Sequence, residues 1–221
     1  MKKRKERKKW FRFWIFTLFC MIGITACGKE NIQSTTSETK SITEQSEEEL
    51  LTGKHYVEIQ IKEKGTIYVE LDADHAPITV TNFIQLVKEG FYDGLTFHRV
   101  VDGFMIQGGD PQGDGYGGSE VKITGEFPNN GIENPLKHTR GAISMARSML
   151  PDSASSQFFI VHQDSPSLDG DYAAFGYVTE GMEIVDDICA TATGQDFNGI
   201  LPAENQPIIE HIVVAEPKES E

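Results

Sequence analysis

The sequence predicts a mainly β fold, a closed antiparallel barrel, on three observations. Short segments alternate apolar and polar residues at period two, and turn residues punctuate them. Only two segments carry apolar residues at helical spacing. Many short strands with few helices bury their apolar faces best in a sheet closed on itself, which also removes the exposed edges.

The elements follow in order. Residues 56–61 and 66–71 both alternate at period two and read as the first pair of strands. From 78 to 88, Val80, Phe83, Ile84 and Val87 recur on one helical face, and Gly90 stops the helix. Residues 95–100, 104–107, 142–146, 157–161 and 173–178 read as further strands. A second helix fits Met182–Thr191, and residues 207–215 form a closing strand. Within 157–161, Phe158 and Ile160 on the core face place Phe159 on the opposite face, where a large aromatic has to cover something.

The first 26 residues stand apart. Eight basic residues between Lys2 and Arg12 precede a 14-residue apolar run, residues 13–26, that ends at Cys27. A membrane-spanning helix needs roughly 20 apolar residues, so a basic head with this shorter run reads as an export signal. Ile24-Thr25-Ala26-Cys27 looks like a bacterial lipobox, with Cys27 as the acylated new N-terminus; the competing reading is an uncleaved signal anchor. Both place the domain extracytoplasmic and tethered, with a lipid anchor on Cys27 preferred. Residues 27–53 then carry the acyl site and a Ser/Thr/Glu/Gln-rich segment without an aromatic residue. Such a segment buries too little to offset ordering and is expected to be a disordered linker. A coil of that length spans roughly 28 Å. The folded domain is expected over 54–216, with a polar tail at 217–221.

Charge narrows the partners. The chain has 20 basic and 34 acidic residues, and the signal takes 8 and 1 of them, leaving 12 against 33, or −21. Such a surface repels phosphate backbones, which argues against nucleic acid. Of three cysteines, only Cys189 falls in the folded part, so no internal disulfide is possible there and the core alone must supply stability.

The most informative stretch is Phe97-His98-Arg99-Val100-Val101-Asp102-Gly103-Phe104-Met105-Ile106-Gln107-Gly108-Gly109-Asp110, on strand, tight turn, strand. Gly141-Ala142-Ile143-Ser144-Met145-Ala146, then Ser155-Ser156-Gln157-Phe158-Phe159-Ile160, then Leu168-Asp169-Gly170 follow it. In this order the four fragments resemble the cyclophilin family of peptidyl-prolyl cis/trans isomerases, from about Tyr56 to Val214. The resemblance implies eight strands with a helix capping each end of the barrel, proline-containing polypeptides as partners, and a monomer.

It also implies a catalytic set of Arg99, Phe104, Met105, Gln107 and Phe159. An X–Pro bond resists rotation because nitrogen shares its lone pair with the carbonyl. In the twisted transition state that pair is localised on nitrogen, so a donor aimed there stabilises the transition state above either planar isomer. Arginine, always charged and rigidly forked, suits this role. Phe104, Met105, Phe159 and Leu168 would hold the proline ring. Gln107 and Gln157 would meet the substrate backbone, and Gly115, Ala146, Arg147 and Tyr172 would flank it. Many relatives have asparagine at Arg147, tryptophan at Ser167 and histidine at Tyr172. The last two departures bear on cyclosporin binding rather than on activity.

Other motifs lead elsewhere. Gly113-Asp114-Gly115-Tyr116-Gly117-Gly118 fits a dinucleotide fingerprint in letters only, since the residues after it read as extended rather than helical. Asp110 and Asp114 imitate a calcium loop that lacks its bidentate carboxylate. The histidines show no ligand spacing, and His98 is expected to pack or hydrogen-bond. No cofactor and no metal are implied. The leading function is an isomerase assisting the folding of exported proteins at the outer face of the membrane. The alternative is a non-catalytic module of the same fold that grips proline-containing segments of a cell-surface partner.

Overall fold

The computed structural model describes residues 49–217. The signal, Cys27 and almost all of the linker and tail expectations lie outside these residues. The strands are β1 (Lys54–Ile61), β2 (Gly65–Asp72), β3 (Phe97–Val101), β4 (Met105–Gly108), β5 (Ala142–Met145), β6 (Phe158–Val161), β7 (Ala174–Glu180) and β8 (Ile209–Ala215). Two helices, α1 (Pro77–Lys88) and α2 (Met182–Thr191), join them. All eight strands form one antiparallel sheet in the order β3-β4-β6-β5-β7-β2-β1-β8. Its edge strands approach where Thr96 bridges Ile208, and there the Phe97 N–H donates to Pro207 O and the Ile209 N–H to Leu95 O. The contact is a short bridge and not a full ladder, so the sheet is strongly curled while the expected closed barrel is met only in part. None of the helices among the described residues is long and apolar enough to cross a membrane.

The inner face is built by alternation. Val57, Ile59 and Ile61 on β1 and Ile67, Val69 and Leu71 on β2 are all buried, joined by Phe83 of α1 and Phe97, Phe158 and Phe175 of the sheet. The Phe83, Tyr92 and Phe158 rings meet with centroids 5.1–5.6 Å apart, two of the three contacts edge-to-face, a favoured aromatic geometry. Gly176 admits no side chain, because a Cβ there would collide with the Glu70 carbonyl of the neighbouring strand.

The start of α1 is fixed by a distant residue. Pro77 opens the helix, and its N-cap Ala76 offers no side-chain acceptor. The buried carboxylate of Glu126 instead accepts the Ile78 N–H (3.0 Å), the Thr79 N–H (2.8 Å) and the Thr79 hydroxyl (2.6 Å). It satisfies orphan donors and sits at the positive end of the helix. At the N-terminal boundary, Leu51 N–H donates to Thr81 Oγ1 and Gly53 N–H to Asp74 Oδ1. These bonds tie the chain to the domain from Leu51.

Candidate active site

Strand register sets out the site. Arg99 of β3 pairs with Gln107 of β4, Gln107 with Phe159 of β6, and Phe159 with Ser144 of β5. The next row, Val100–Ile106–Ile160–Ile143, lies in the main core. Adjacent rows point to opposite faces, so Arg99, Gln107 and Phe159 share the outer face. Phe158 and Ile160 are in the inner core, while Phe159 belongs to a separate apolar cluster with Met105, Phe104, Leu168 and Tyr172, as the alternation of β6 required.

Simple alternation would not have turned Arg99 outward. Phe97 is fully buried in the core, and so is Val100, three positions later. The register skips His98 between Phe97↔Gly108 and Arg99↔Gln107, which is a β-bulge. The extra residue reverses the facing of the positions after it. His98 is fully buried, and neither ring nitrogen has a hydrogen-bond partner among the described residues. Burial, with a smaller push from Arg99, pulls its pKa below the usual histidine value despite the carboxylates of Asp110 and Asp114. The neighbouring turn is equally specific. Gly103 has φ +74°, and the Phe104 N–H closes the turn onto Val101 O, bringing Phe104 and Met105 beside Arg99.

The Arg99 guanidinium is held from two sides. Its Nε donates to the Asn198 carbonyl at 2.7 Å and Nη1 to Gln107 Oε1 at 3.2 Å, with Met105 Sδ at 3.9 Å. Among the described residues Nη2 has no hydrogen-bond partner. Partial burial lowers the guanidinium pKa, offset in part by Tyr172 and Asp196. Gln107 passes the constraint on: its Nε2 donates to Gln157 Oε1 (2.8 Å), whose own Nε2 donates to Gly115 O and Gly117 O.

These groups surround a cleft of about 420 Å³ lined by Arg99, Phe104, Met105, Gln107, Gly115, Ala146, Arg147, Phe159, Leu168 and Tyr172. Ten of the eleven residues singled out from the sequence for this site therefore meet in one place. Gln157 lies in an adjoining cavity of about 340 Å³ with Lys122 and Ser155, acting on the cleft through Gln107. The cleft also has walls that sequence reading missed: His98, Asp114, Tyr116, Asn198 and Ile200. Nothing local marks Asn198, which reaches Arg99 across 99 positions of chain.

Contacts behind the cleft stiffen its walls. Phe159 stacks on the buried His138 and meets Tyr172 edge-on. His138 is fixed by Asp169 Oδ1 (2.9 Å) and Ser144 Oγ (3.0 Å). The Arg147 side chain is held against aromatic rings and backbone carbonyls. Its guanidinium carbon lies 4.9 Å from the Phe127 ring centre and 4.8 Å from that of Tyr172, and Nε donates to Asp171 O. Asp110 is structural as well. It accepts the N–H groups of Gln112 (2.8 Å), Asp114 (3.2 Å) and Gly115 (2.6 Å) and so organises the glycine-rich loop beside the cleft.

A curled antiparallel sheet carrying a cleft with an apolar wall and the Arg99 fork beside it is the arrangement expected of a peptidyl-prolyl isomerase of the cyclophilin type. The family model for cyclophilin type peptidyl-prolyl cis-trans isomerase matches residues 56–214, and the chain belongs to that family. Its enzyme class is that of the family, peptidyl-prolyl cis-trans isomerase (EC 5.2.1.8). A peptidyl-prolyl cis-trans isomerase of Helicobacter pylori (strain J99) is 46% identical over 143 residues, covering 64% of this chain and 85% of the relative. Peptidyl-prolyl cis-trans isomerase B of Bacillus subtilis is 48% identical over 123 residues, 56% of this chain and 82% of that protein. A crystal structure of a Cryptosporidium parvum cyclophilin type isomerase, determined with the dipeptide Ala-Pro, is similar with TM-score 0.64 and 31% identity, covering 73% of this chain and 99% of that one.

Proposed function

We propose that this protein accelerates cis/trans isomerisation of X–Pro bonds in exported polypeptides, at the outer face of the membrane to which a lipid on Cys27 holds it. The observation that carries the catalytic reading is a doubly anchored Arg99, whose Nη2 has no hydrogen-bond partner among the described residues, beside the apolar wall of the cleft. Phe104, Met105, Phe159 and Leu168 hold the proline ring while the bond before it turns. Arg99, pre-oriented by Asn198 O and Gln107 Oε1, donates to the prolyl nitrogen only when its lone pair is released, which is stabilisation specific to the transition state. Ala146 and Arg147 offer main chain to the peptide, and Gly115 flanks it. Uncatalysed, this isomerisation takes tens to hundreds of seconds, slow enough to limit folding of a secreted chain.

A protease-coupled assay on an Ala–Pro peptide tests the activity. Turnover supports the enzyme, whereas tight peptide binding without turnover selects the non-catalytic module. Incorporation of a fatty-acid analogue tests the anchor: label in the wild type and none in Cys27→Ala is expected. An unlabelled wild type favours an uncleaved signal anchor.

A further inference from the structure

Away from the cleft, on the side where α2 packs near β3 and β4, three ligating side chains converge. Asp102 in the β3–β4 turn, His162 just after β6 and Cys189 of α2 place one ligand atom each within 4.8 Å of the other two. From this geometry we propose that Asp102, His162 and Cys189 form a binding site for a zinc-class divalent cation. A thiolate, an imidazole and a carboxylate suit Zn²⁺, whereas Mg²⁺ and Ca²⁺ call for oxygen ligands alone.

The spacing and the surroundings support it. Asp102 Oδ1 lies 3.4 Å from His162 Nδ1, near the separation of roughly 3.3 Å between two ligand atoms of a tetrahedral zinc site with bonds of about 2.0–2.1 Å. The Asp102 side chain is mostly exposed and can swing toward the sulfur. His162 Nε2 lies 3.0 Å from Asp186 Oδ1, and the Gly103 N–H donates to Nδ1 at 3.0 Å. Both contacts fix the tautomer with the proton on Nε2 and the lone pair on Nδ1, where it accepts the Gly103 N–H beside Asp102. Asp186 is itself held by Arg140, with Nη1 and Nη2 each 2.8 Å from a carboxylate oxygen. A carboxylate–histidine pair of this kind is the usual outer support of a metal-bound imidazole.

Charge also closes. Cys189 is a free, buried thiol that carries one S–H proton. Zn²⁺ would release that proton to solvent on forming the Zn–S bond. The dication then balances thiolate and Asp102, while Asp186 is balanced by Arg140. Binding replaces the Gly103–His162 hydrogen bond with a metal tie between the β3–β4 turn and α2. That turn separates Arg99 from Phe104 and Met105.

The test uses the full chain, with Zn²⁺ titrated against a chromophoric chelator and Co²⁺ as a spectroscopic probe. Cys20 and Cys27 can also take zinc, so each variant is compared with the wild type. Cys189→Ser and the exposed Asp102→Asn should each weaken one zinc-binding event by at least about tenfold. Zinc should raise the thermal midpoint of the wild type and not that of Cys189→Ser. The Co²⁺ complex should show a thiolate charge-transfer band that Cys189→Ser loses. Unchanged zinc affinity in either variant, or no change in the cobalt spectrum on losing Cys189, overturns the site. None of these readouts depends on isomerase activity.

Discussion

Replacing Arg99 with alanine should lower the catalysed rate by about 10²–10³-fold while leaving peptide affinity nearly unchanged. Alanine removes the unpaired Nη2 donor, and with it the two bonds, to Asn198 O at 2.7 Å and Gln107 Oε1 at 3.2 Å, that keep the fork pointed at the cleft. Loss of one preorganised donor to developing charge costs about 2.7–4 kcal/mol, which converts to that range of rate at about 1.4 kcal/mol per tenfold. The apolar wall of Phe104, Met105, Phe159 and Leu168 is untouched, so ground-state binding by calorimetry should move less than about threefold. Arg99→Lys keeps a charge but cannot span Asn198 and Gln107 with a rigid fork, and should recover little of the loss. The protease-coupled assay on an Ala–Pro peptide reads both variants. Turnover near wild type in Arg99→Ala, or a loss wholly in binding, would refute the transition-state role.

Three further outcomes are expected. Burial lowers the pKa of both His98 and His138, against the raising effect of nearby carboxylates. The unfolded state therefore binds more protons, and stability should fall as pH drops below the unfolded histidine value of about 6.5 toward the folded values. Urea denaturation between pH 7.5 and 5 should show that slope, reduced in His138→Gln. Glu126→Ala strips the cap from α1 and leaves buried donors unpaired, at about 3 kcal/mol, or about 6–12 °C in thermal midpoint for a domain of this size; calorimetry showing no shift would contradict the capping role. Ser167 is exposed in the short turn Pro166–Leu168 at the cleft wall and offers no wide apolar anchor. Cyclosporin should therefore inhibit about thirtyfold less well than it does tryptophan-bearing relatives, judged from a hot-spot loss of about 2 kcal/mol. Ser167→Trp should tighten inhibition without raising turnover much, as inhibition curves will show.

By itself the sequence determined whatever is written in local periodicity. Period-two alternation placed β1, β2 and β6 and put Phe159 opposite Phe158 and Ile160, because successive side chains of a strand must point to opposite faces. Helical spacing placed α1 and α2, and the resemblance picked out the residues around the cleft. Tertiary structure decided the rest. Continued alternation from the buried Phe97 would have turned Arg99 inward; the bulge at His98, stabilised by the pairing of β3 with β4, turns it out. The carbonyl that aims its guanidinium comes from Asn198, and the carboxylate that caps α1 lies 47 positions beyond Thr79. Folding places the Arg147 guanidinium against the Phe127 and Tyr172 rings, a contact that its position in the sequence does not show. Such contacts join residues far apart in the chain, and each is selected by the three-dimensional need to satisfy a donor or fill a space. They leave no spacing behind for the sequence to display.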